Sequence, residues 1–237
     1  MLPYWKCLGF VLYIVLYFSV LDCFEKWPKE SAWSAFFKVL PMMHLVFIVV
    51  STSTEDDVKL KSSCYRYYTL LGLLISSIGD VLLIWKPYFA YGVASFGVAQ
   101  LLNSLAFGFR PFGGGPTFAS FGVVAVGSFM YIIELMQEEI TVKVMMLLYI
   151  LIVSNSMWRA MVQCQNEVNV ENVCAVFGTM LFAVSDFLIA LDQYKGSFHC
   201  APFWIMLTYY TAQLGITLSA CNTTDVNMKT MGKPKKS

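Results

Sequence analysis

Charged residues are scarce in this sequence. Asp, Glu, Lys and Arg make up 13% of its 237 residues, whereas a soluble domain carries about 25%. Hydrophobic residues account for 58%, and only short segments separate the long apolar runs. This composition leaves no room for a separate soluble domain and indicates a membrane protein.

The sequence also lacks the patterns of a metal site and of a disulfide framework. Its only histidines, His44 and His199, are far apart and do not have the spacing of metal ligands. The seven cysteines are scattered and include no Cys-x-x-Cys pair. We therefore expect no metal site and no disulfide scaffold.

Eight apolar runs approach the length of about 20 residues that a bilayer-spanning helix needs. We predict an all-α integral membrane protein with eight transmembrane helices, forming one membrane domain over residues 1–222, followed by a basic cytosolic tail over residues 223–237. The first run resembles a signal peptide, but no small-residue cleavage site follows it, so we expect it to remain as a helix. The predicted spans are 3–21, 33–51, 67–85, 89–107, 117–135, 142–160, 172–191 and 200–220.

Lysine and arginine predict the orientation. They divide ten to five between the two sides of the predicted membrane, with Lys38 left out because it lies within the second span. The richer side should be cytosolic, which places both termini in the cytosol. The chain ends with Lys233-Pro234-Lys235-Lys236-Ser237, which resembles the dilysine retrieval signal of endoplasmic-reticulum membrane proteins; a solvated basic tail near anionic lipid explains it equally well. The expected location is the endoplasmic reticulum.

Two aspartates lie within predicted spans. Asp80 interrupts the apolar run 70–85, and Asp186 interrupts the run 173–191. An ionised Asp at the centre of a bilayer costs roughly 2.5–3.5 kcal/mol on insertion scales, so such a group is retained where it faces the protein interior and has a function. The alternative is a structural role, with the carboxylates paired with Lys38 or capped by neighbouring hydroxyls.

The two aspartates occur in similar sequence surroundings. Gly72 precedes Asp80 by eight positions, and Gly178 precedes Asp186 by the same eight. A second, weaker similarity is the tripeptide Ala-Gln-Leu, which occurs in both the fourth and the eighth spans. We predict an internal duplication into two parallel four-helix repeats, related by an axis along the membrane normal, that delivers one carboxylate from each half to a common centre.

Further polar side chains are predicted near the aspartates. Asp80 and Asp186 each lie about five residues, or about 8 Å, from the lumenal end of the predicted span. Lys38 lies at the same level, unless its side chain snorkels to the surface. We expect a buried site for an amphiphile, lined by polar groups of the fourth and eighth helices, although interhelical hydrogen bonding and packing are the alternative for each. These groups are Gln100, Asn103, Tyr209, Tyr210 and Gln213.

Six short motifs occur in a fixed order along the chain. They are Lys38-Val39-Leu40-Pro41, Gly79-Asp80 with its following apolar stretch, Ala106-Phe107-Gly108, Trp158-Arg159, Ser185-Asp186 followed by Ala190-Leu191-Asp192, and Thr208-Tyr209-Tyr210-Thr211-Ala212-Gln213. The ordered set resembles the lysoplasmalogenase family, the YhhN-like membrane proteins that include transmembrane protein 86. The match covers about residues 33–221. No single motif is specific, but the collinear set is.

This resemblance implies an alkenylglycerophospholipid ether hydrolase, which cleaves the vinyl ether of a lysoplasmalogen to a fatty aldehyde and a glycerophospho-alcohol. It implies no metal and no organic cofactor. Protonating an enol-ether carbon requires an acid and a nearby negative charge, the division of labour found in glycosidases. Apolar surroundings keep a carboxyl group protonated, and a nearby Lys keeps one ionised. We assign Asp186 as the acid and Asp80 as the ionised partner, with the reverse assignment left open.

The chain departs from the family pattern on the fourth helix. The family shows Ala-His-x-x-Tyr, whereas this sequence has Gln100 and Asn103 in place of the His and the Tyr. If that His carries a proton, this chain is weakly active, altered in substrate or inactive; if it only hydrogen-bonds a head group, Gln100 could replace it. We predict that Gln100 lines the cavity and limits the rate.

Two other classes of function remain open. A proton-coupled transporter built of parallel repeats could use paired aspartates, but Pro41 is the only proline well inside a predicted helix, which counts against broken helices. A non-catalytic lysolipid-binding membrane protein is the second, with Gln100 as its best support. The expected partners are a lysophospholipid substrate and membrane lipids; a homodimer is left open, and no nucleic-acid partner is expected.

Overall fold

Helices form every regular element of the described chain. The computed structural model describes residues 4–52, 60–109 and 115–221, so the predicted basic tail and its dilysine sequence lie outside the described residues. A short 3₁₀ helix, Lys86–Tyr88, connects the third and fourth α-helices. The α-helices are α1 (Tyr4–Leu21), α2 (Ala32–Ser51), α3 (Leu60–Leu82), α4 (Phe89–Phe107), α5 (Gly115–Leu135), α6 (Ile140–Asn166), α7 (Val170–Tyr194) and α8 (Ala201–Cys221).

Within the described residues, five segments are long and apolar enough to cross a bilayer. The first and last helices fall outside this set: α1 is apolar but shorter, and α8 is rich in hydroxyl and amide side chains. The third helix, α3, begins with a polar stretch that contains Lys61 and Arg66. The all-α prediction is confirmed, while eight membrane-spanning helices stay a prediction. The five segments are Ala32–Ser51, Lys86–Phe107, Thr117–Leu135, Ile140–Asn166 and Val170–Tyr194.

The third helix ends earlier than its apolar run predicts. It stops at Leu82 rather than at residue 85, because the backbone N–H groups of Ile84 and Trp85 donate to carbonyl oxygens three residues back, which is not the α-helical pattern. Asp80 therefore lies two residues from the end of α3, whereas Asp186 lies eight residues from the end of α7 at Tyr194. These separations correspond to about 3 Å and about 12 Å of helix. The predicted equal distance from the helix ends is wrong.

Helices α7 and α8 approach each other closely at Gly178. A Cβ atom built on Gly178 would lie 2.7 Å from the backbone nitrogen of Ile216 and 2.8 Å from the carbonyl oxygen of Ala212. Both atoms belong to the backbone, so they cannot rotate out of the way. Gly178 thus sets the distance between the helix that carries Asp186 and its partner.

A corresponding contact joins α3 and α4. A Cβ atom on Gly72 would lie 3.5 Å from the carbonyl oxygen of Ala99 and 3.0 Å from the Oδ1 atom of Asn103. Ala99 begins one copy of the Ala-Gln-Leu tripeptide, and Ala212 begins the other. The second residue that each glycine contacts, Asn103 or Ile216, follows that alanine by four positions. The two contacts therefore match position for position, as a duplication predicts, and the duplication itself stays a prediction.

The Gly178 contact predicts a matched pair of stability effects. Gly178→Ala should destabilise the protein by about 1–3 kcal/mol, because the new methyl group overlaps fixed backbone atoms. Gly127→Ala in α5 is the control, since a Cβ atom there would meet nothing within 4 Å. Removing a helix-interior glycine at that position should be neutral or should stabilise by up to about 1 kcal/mol. Unfolding of the purified variants in detergent measures both, and equal behaviour would contradict the close approach.

Candidate active site

A cavity of about 180 Å³ lies among the helices, between α1, α2, α3, α4, α7 and α8. Both aspartates line it, together with Lys38 and Tyr209. The cavity has an apolar interior and a charged outer end. Its other lining residues are Tyr17, Trp27, Pro28, Glu30, Leu83, Ile84, Lys86, Phe89, Phe96, Ile189, Asp192, Gln193, Ile205 and Met206.

Asp80 has two polar partners from two different helices. The Lys38 ammonium of α2 lies 3.5 Å from its Oδ1 atom, and the Tyr209 hydroxyl of α8 donates a hydrogen bond of 2.6 Å to its Oδ2 atom. Asp80 is 1% exposed and Lys38 is 4% exposed. The Lys38 side chain therefore points into the protein and pairs with Asp80, and it does not snorkel to the surface.

Asp186 has a neutral partner. The Tyr149 hydroxyl of α6 donates a hydrogen bond of 2.7 Å to the Oδ2 atom of Asp186. Within the described residues, no lysine or arginine lies at ion-pair distance from this carboxyl group. The neighbouring Ser185 donates to the carbonyl oxygen of Ile205 at 3.0 Å, which ties α7 to α8 beside the site.

The two carboxyl groups therefore sit in unlike surroundings on one cavity. A cation compensates a negative charge on Asp80, and a charge on Asp186 has only a hydroxyl to stabilise it. An ionised carboxylate is accommodated in an apolar interior only with such compensation. The geometry thus favours an ionised Asp80 and a neutral Asp186.

Asp186 also lines a second cavity, of about 80 Å³, between α5, α6 and α7. Apolar side chains such as Ile132, Val153 and Phe187 make up most of its wall. A third cavity of about 30 Å³, on the side of α4, shares Tyr149 and Asp186. Asp186 therefore lies where the main cavity, which has charged side chains on its wall, meets an apolar cleft.

Four of the predicted site residues lie outside the wall of the main cavity. Gln100 and Asn103 are buried side by side on α4, with 3.5 Å between the Asn103 Nδ2 and Gln100 Oε1 atoms. The Gln100 Nε2 atom is buried and has no hydrogen-bond partner. In the structure Gln100 does not line this cavity, because it lies deeper along α4 than Phe96, which does.

The other two residues, Tyr210 and Gln213, stabilise the packing of the helices that carry the site. The Tyr210 hydroxyl donates to the carbonyl oxygen of Lys38 at 2.9 Å. The Gln213 Nε2 atom donates to the Ser76 hydroxyl at 3.3 Å, one turn before Asp80 on α3. Tyr210 thus holds α2 against α8 at Lys38, and Gln213 holds α3 against α8 close to Asp80.

Sequence reasoning missed Tyr17, Tyr149 and the partnership of Trp27 with Asp192. Tyr149 gave one usable signal, since it lies in the middle of a long apolar run rather than at a membrane interface. Trp27 lies between the first two predicted spans, a position typical of tryptophans at a membrane–water interface. In the structure its Nε1 atom donates to the Oδ2 atom of Asp192 at 2.7 Å, across 165 residues of sequence. Such a contact depends on how the loop between α1 and α2 meets α7 and leaves no local signal.

In the part of the chain that the structure describes, one group of side chains could hold a metal ion, and it lies away from the cavity wall. The ligand atoms of Glu25, His199 and Cys200 lie within 4.8 Å of one another. Cys200 is next to His199 in the sequence, and folding brings Glu25 to this pair. In the same loop region, burial raises the pKa of the Cys23 thiol. Cys23 therefore remains a protonated packing residue at neutral pH.

Two further motifs meet at the opposite end of the helices. The Arg159 Nε atom donates to the carbonyl oxygen of Gly108 at 2.5 Å, and its guanidinium group stacks on Trp158 at 5.2 Å from the ring centre. Gly108 has a φ of +76°, which favours glycine, and it ends α4. These residues anchor α6 to α4 and do not line the cavity.

These features define a helical membrane protein with paired carboxyl groups on a cavity of mixed polarity. Residues 33–220 match the family described as the YhhN family. The chain therefore belongs to the YhhN family.

Curated relatives cover most of the chain. It is 30% identical over 239 residues to lysoplasmalogenase TMEM86A of Bos taurus, an alignment covering 93% of this chain and 88% of that protein. It is 31% identical over 215 residues to lysoplasmalogenase TMEM86B of Homo sapiens, covering 89% and 84%. No solved structure shows significant similarity to it.

The buried pair predicts a non-additive effect on stability. Lys38→Met should destabilise the protein by about 3–5 kcal/mol, because it leaves the Asp80 carboxylate without its cation. Adding Asp80→Asn should recover much of that loss, since no charge then remains. Thermal unfolding of both variants in detergent measures the difference, with Lys143→Met of α6 as a control lysine. A double variant that is less stable than Lys38→Met would contradict the pairing.

Proposed function

We propose that this protein is a membrane-embedded hydrolase that cleaves the vinyl ether of lysoplasmalogens to a fatty aldehyde and a glycerophospho-alcohol. The named relatives are lysoplasmalogenases. The observation that carries the proposal is the placement of two carboxyl groups with unlike partners, Asp80 and Asp186, on one cavity. An acid and a separate negative charge are what vinyl-ether hydrolysis requires.

Asp186 is the proton donor in this mechanism. Its proton passes to the second carbon of the alkenyl chain, and the π electrons form the new C–H bond, which leaves an oxocarbenium ion between the first carbon and the ether oxygen. The hydroxyl of Tyr149, already at 2.7 Å, stabilises the carboxylate that forms. A positioned acid of this kind contributes about 10²–10⁴-fold in rate.

Asp80 supplies the negative charge. With Lys38 at 3.5 Å it remains ionised, and its charge stabilises the oxocarbenium ion across the cavity. Water then adds to the cationic carbon and releases a proton, which restores the acid. The resulting hemiacetal collapses to the aldehyde and the free glycerol hydroxyl, so one water is consumed for each ether cleaved.

The alkenyl chain takes the apolar cleft between α5, α6 and α7. Asp186 lines both this cleft and the main cavity, so a lysolipid with its chain in the cleft and its glycerol in the cavity places the vinyl ether beside the acid. The cleft lies next to α5, whose outer face carries exposed apolar residues such as Val123 and Val126. The aldehyde product therefore leaves along its chain toward lipid.

A transporter fits this arrangement less well. Alternating access needs a path to both ends, but Arg159 binds Gly108 at the end opposite the charged rim, and backbone contacts at Gly178 close α7 onto α8.

We propose that all eight helices span the endoplasmic-reticulum membrane, with both termini in the cytosol and the cavity facing the lumen.

Replacing either aspartate should abolish most aldehyde release. Asp186→Asn removes the acidic proton and Asp80→Asn removes the charge, so each should lower the rate by about 10²–10⁴-fold on a synthetic lysoplasmalogen. Glu167→Gln, in the loop between α6 and α7, is the control and should retain the rate. Aldehyde release by purified, folded protein measures the effect. Retention of activity in Asp186→Asn would overturn the assignment of the acid.

Gln100→His should leave the rate within about threefold of the parent, since the side chain lies behind the cavity wall and a threefold change is well under 1 kcal/mol of barrier. This expectation replaces the one made from the sequence. The same aldehyde assay measures it. A gain of about tenfold or more would show that position 100 reaches the reacting groups.

A further inference from the structure

The outer rim of the main cavity carries charges of both signs and an aromatic ring. Trp27 and Glu30 come from the loop between α1 and α2, Lys86 comes from the 3₁₀ helix, and Asp192 comes from α7. Trp27 is 43% exposed. A ligand that enters the cavity meets these four side chains before it reaches the apolar interior and the two aspartates.

Asp192 has one carboxylate oxygen without a hydrogen-bond partner. The Trp27 Nε1 atom donates to its Oδ2 atom at 2.7 Å, whereas its Oδ1 atom is buried and has no hydrogen-bond partner. A buried acceptor without a donor is costly, and a ligand that brings an N–H group would remove that cost. The oxygen is therefore suited to a donor that also carries positive charge.

Lys86 is the cation available to an anionic ligand. Of the two lysines on the cavity, Lys38 is buried and already lies 3.5 Å from Asp80. Lys86 is exposed at the rim, and among the described residues no carboxylate lies within ion-pair distance of its ammonium group. The cavity is thus lined by one lysine without a carboxylate partner and by two acidic side chains besides the aspartates of the interior, Glu30 and Asp192.

We propose that this rim binds the phosphoethanolamine head group of the lysolipid, with Lys86 at the phosphate and Asp192, assisted by Glu30, at the ammonium. The proposal rests on the proposed function. An ethanolamine ammonium carries three N–H donors, so it satisfies the free oxygen of Asp192, whereas the trimethylammonium of choline has none to offer. The indole of Trp27 adds a face for the cation.

The spacing along α7 agrees with one lipid reaching both sites. Asp192 follows Asp186 by six residues, which is about 9 Å of helix. That is the order of the distance between the ether oxygen and the amine of a glycerophosphoethanolamine. The head group at Asp192 and the vinyl ether at Asp186 are therefore bound along a single helix.

Binding of non-cleavable alkyl-ether lysolipids tests the ammonium site without requiring hydrolysis. The full chain in detergent should bind the ethanolamine analogue about tenfold more tightly than the choline analogue, the effect of one charge-assisted hydrogen bond. In Asp192→Asn this preference should fall below about threefold. Asparagine can still accept from Trp27, so the loop contact is kept. Glu167→Gln is the control and should retain the full preference.

A second variant tests the phosphate site. Lys86→Gln should weaken binding of both analogues by about fivefold to tenfold and leave binding of an alkylglycerol without phosphate unchanged. Because Lys86 is exposed, this substitution does not endanger folding. A parent protein without ethanolamine preference, an Asp192→Asn variant that retains it, or a Lys86→Gln variant with unchanged affinities would each overturn the proposal. An inactive aldehyde assay with these preferences intact would instead count against the proposed hydrolysis.

Discussion

The arrangement of the helices depends on burying the charges of Lys38 and Asp80 together. Both side chains are almost fully inaccessible, and two isolated charges in such a place would each carry a large desolvation cost. They are tolerated because the ammonium and the carboxylate lie 3.5 Å apart and the Tyr209 hydroxyl satisfies the second oxygen. This requirement fixes α2, α3 and α8 relative to one another, and Tyr210 reinforces it from α8.

The pair also gives the proposed reaction its asymmetry. The Lys38 ammonium is paired with Asp80. Asp186 faces the same cavity, and its polar partner is the Tyr149 hydroxyl, which donates a hydrogen bond to it. Two carboxyl groups of the same type thereby acquire the different roles of acid and charge. The surroundings of the two aspartates also change along the cavities. A charged rim comes first, Asp80 and Asp186 follow, and an apolar cleft of about 80 Å³ lies beyond them beside α5 and α6. An amphiphile with a polar head and one chain matches that sequence of environments.

Much of this could be predicted from the sequence, because buried charges and apolar runs are local signals. Asp80, Asp186 and Lys38 are conspicuous in a chain with so few charges, and all three line one cavity. Gln100 is equally conspicuous, yet it lies behind the wall, because it is one turn deeper along α4 than Phe96 and the sequence does not tell how deep the cavity reaches. Trp27 and Asp192 are 165 residues apart, and only the packed structure brings them together.

The protonation states of the two aspartates are the central claim, and infrared spectroscopy tests it most directly. At neutral pH the purified protein should show the carbonyl stretch of a protonated carboxylic acid, sensitive to exchange into D₂O. We predict that this band disappears in Asp186→Asn and persists in Asp80→Asn. A band that persists in Asp186→Asn and disappears in Asp80→Asn would contradict it, because the acid would then be the aspartate paired with Lys38.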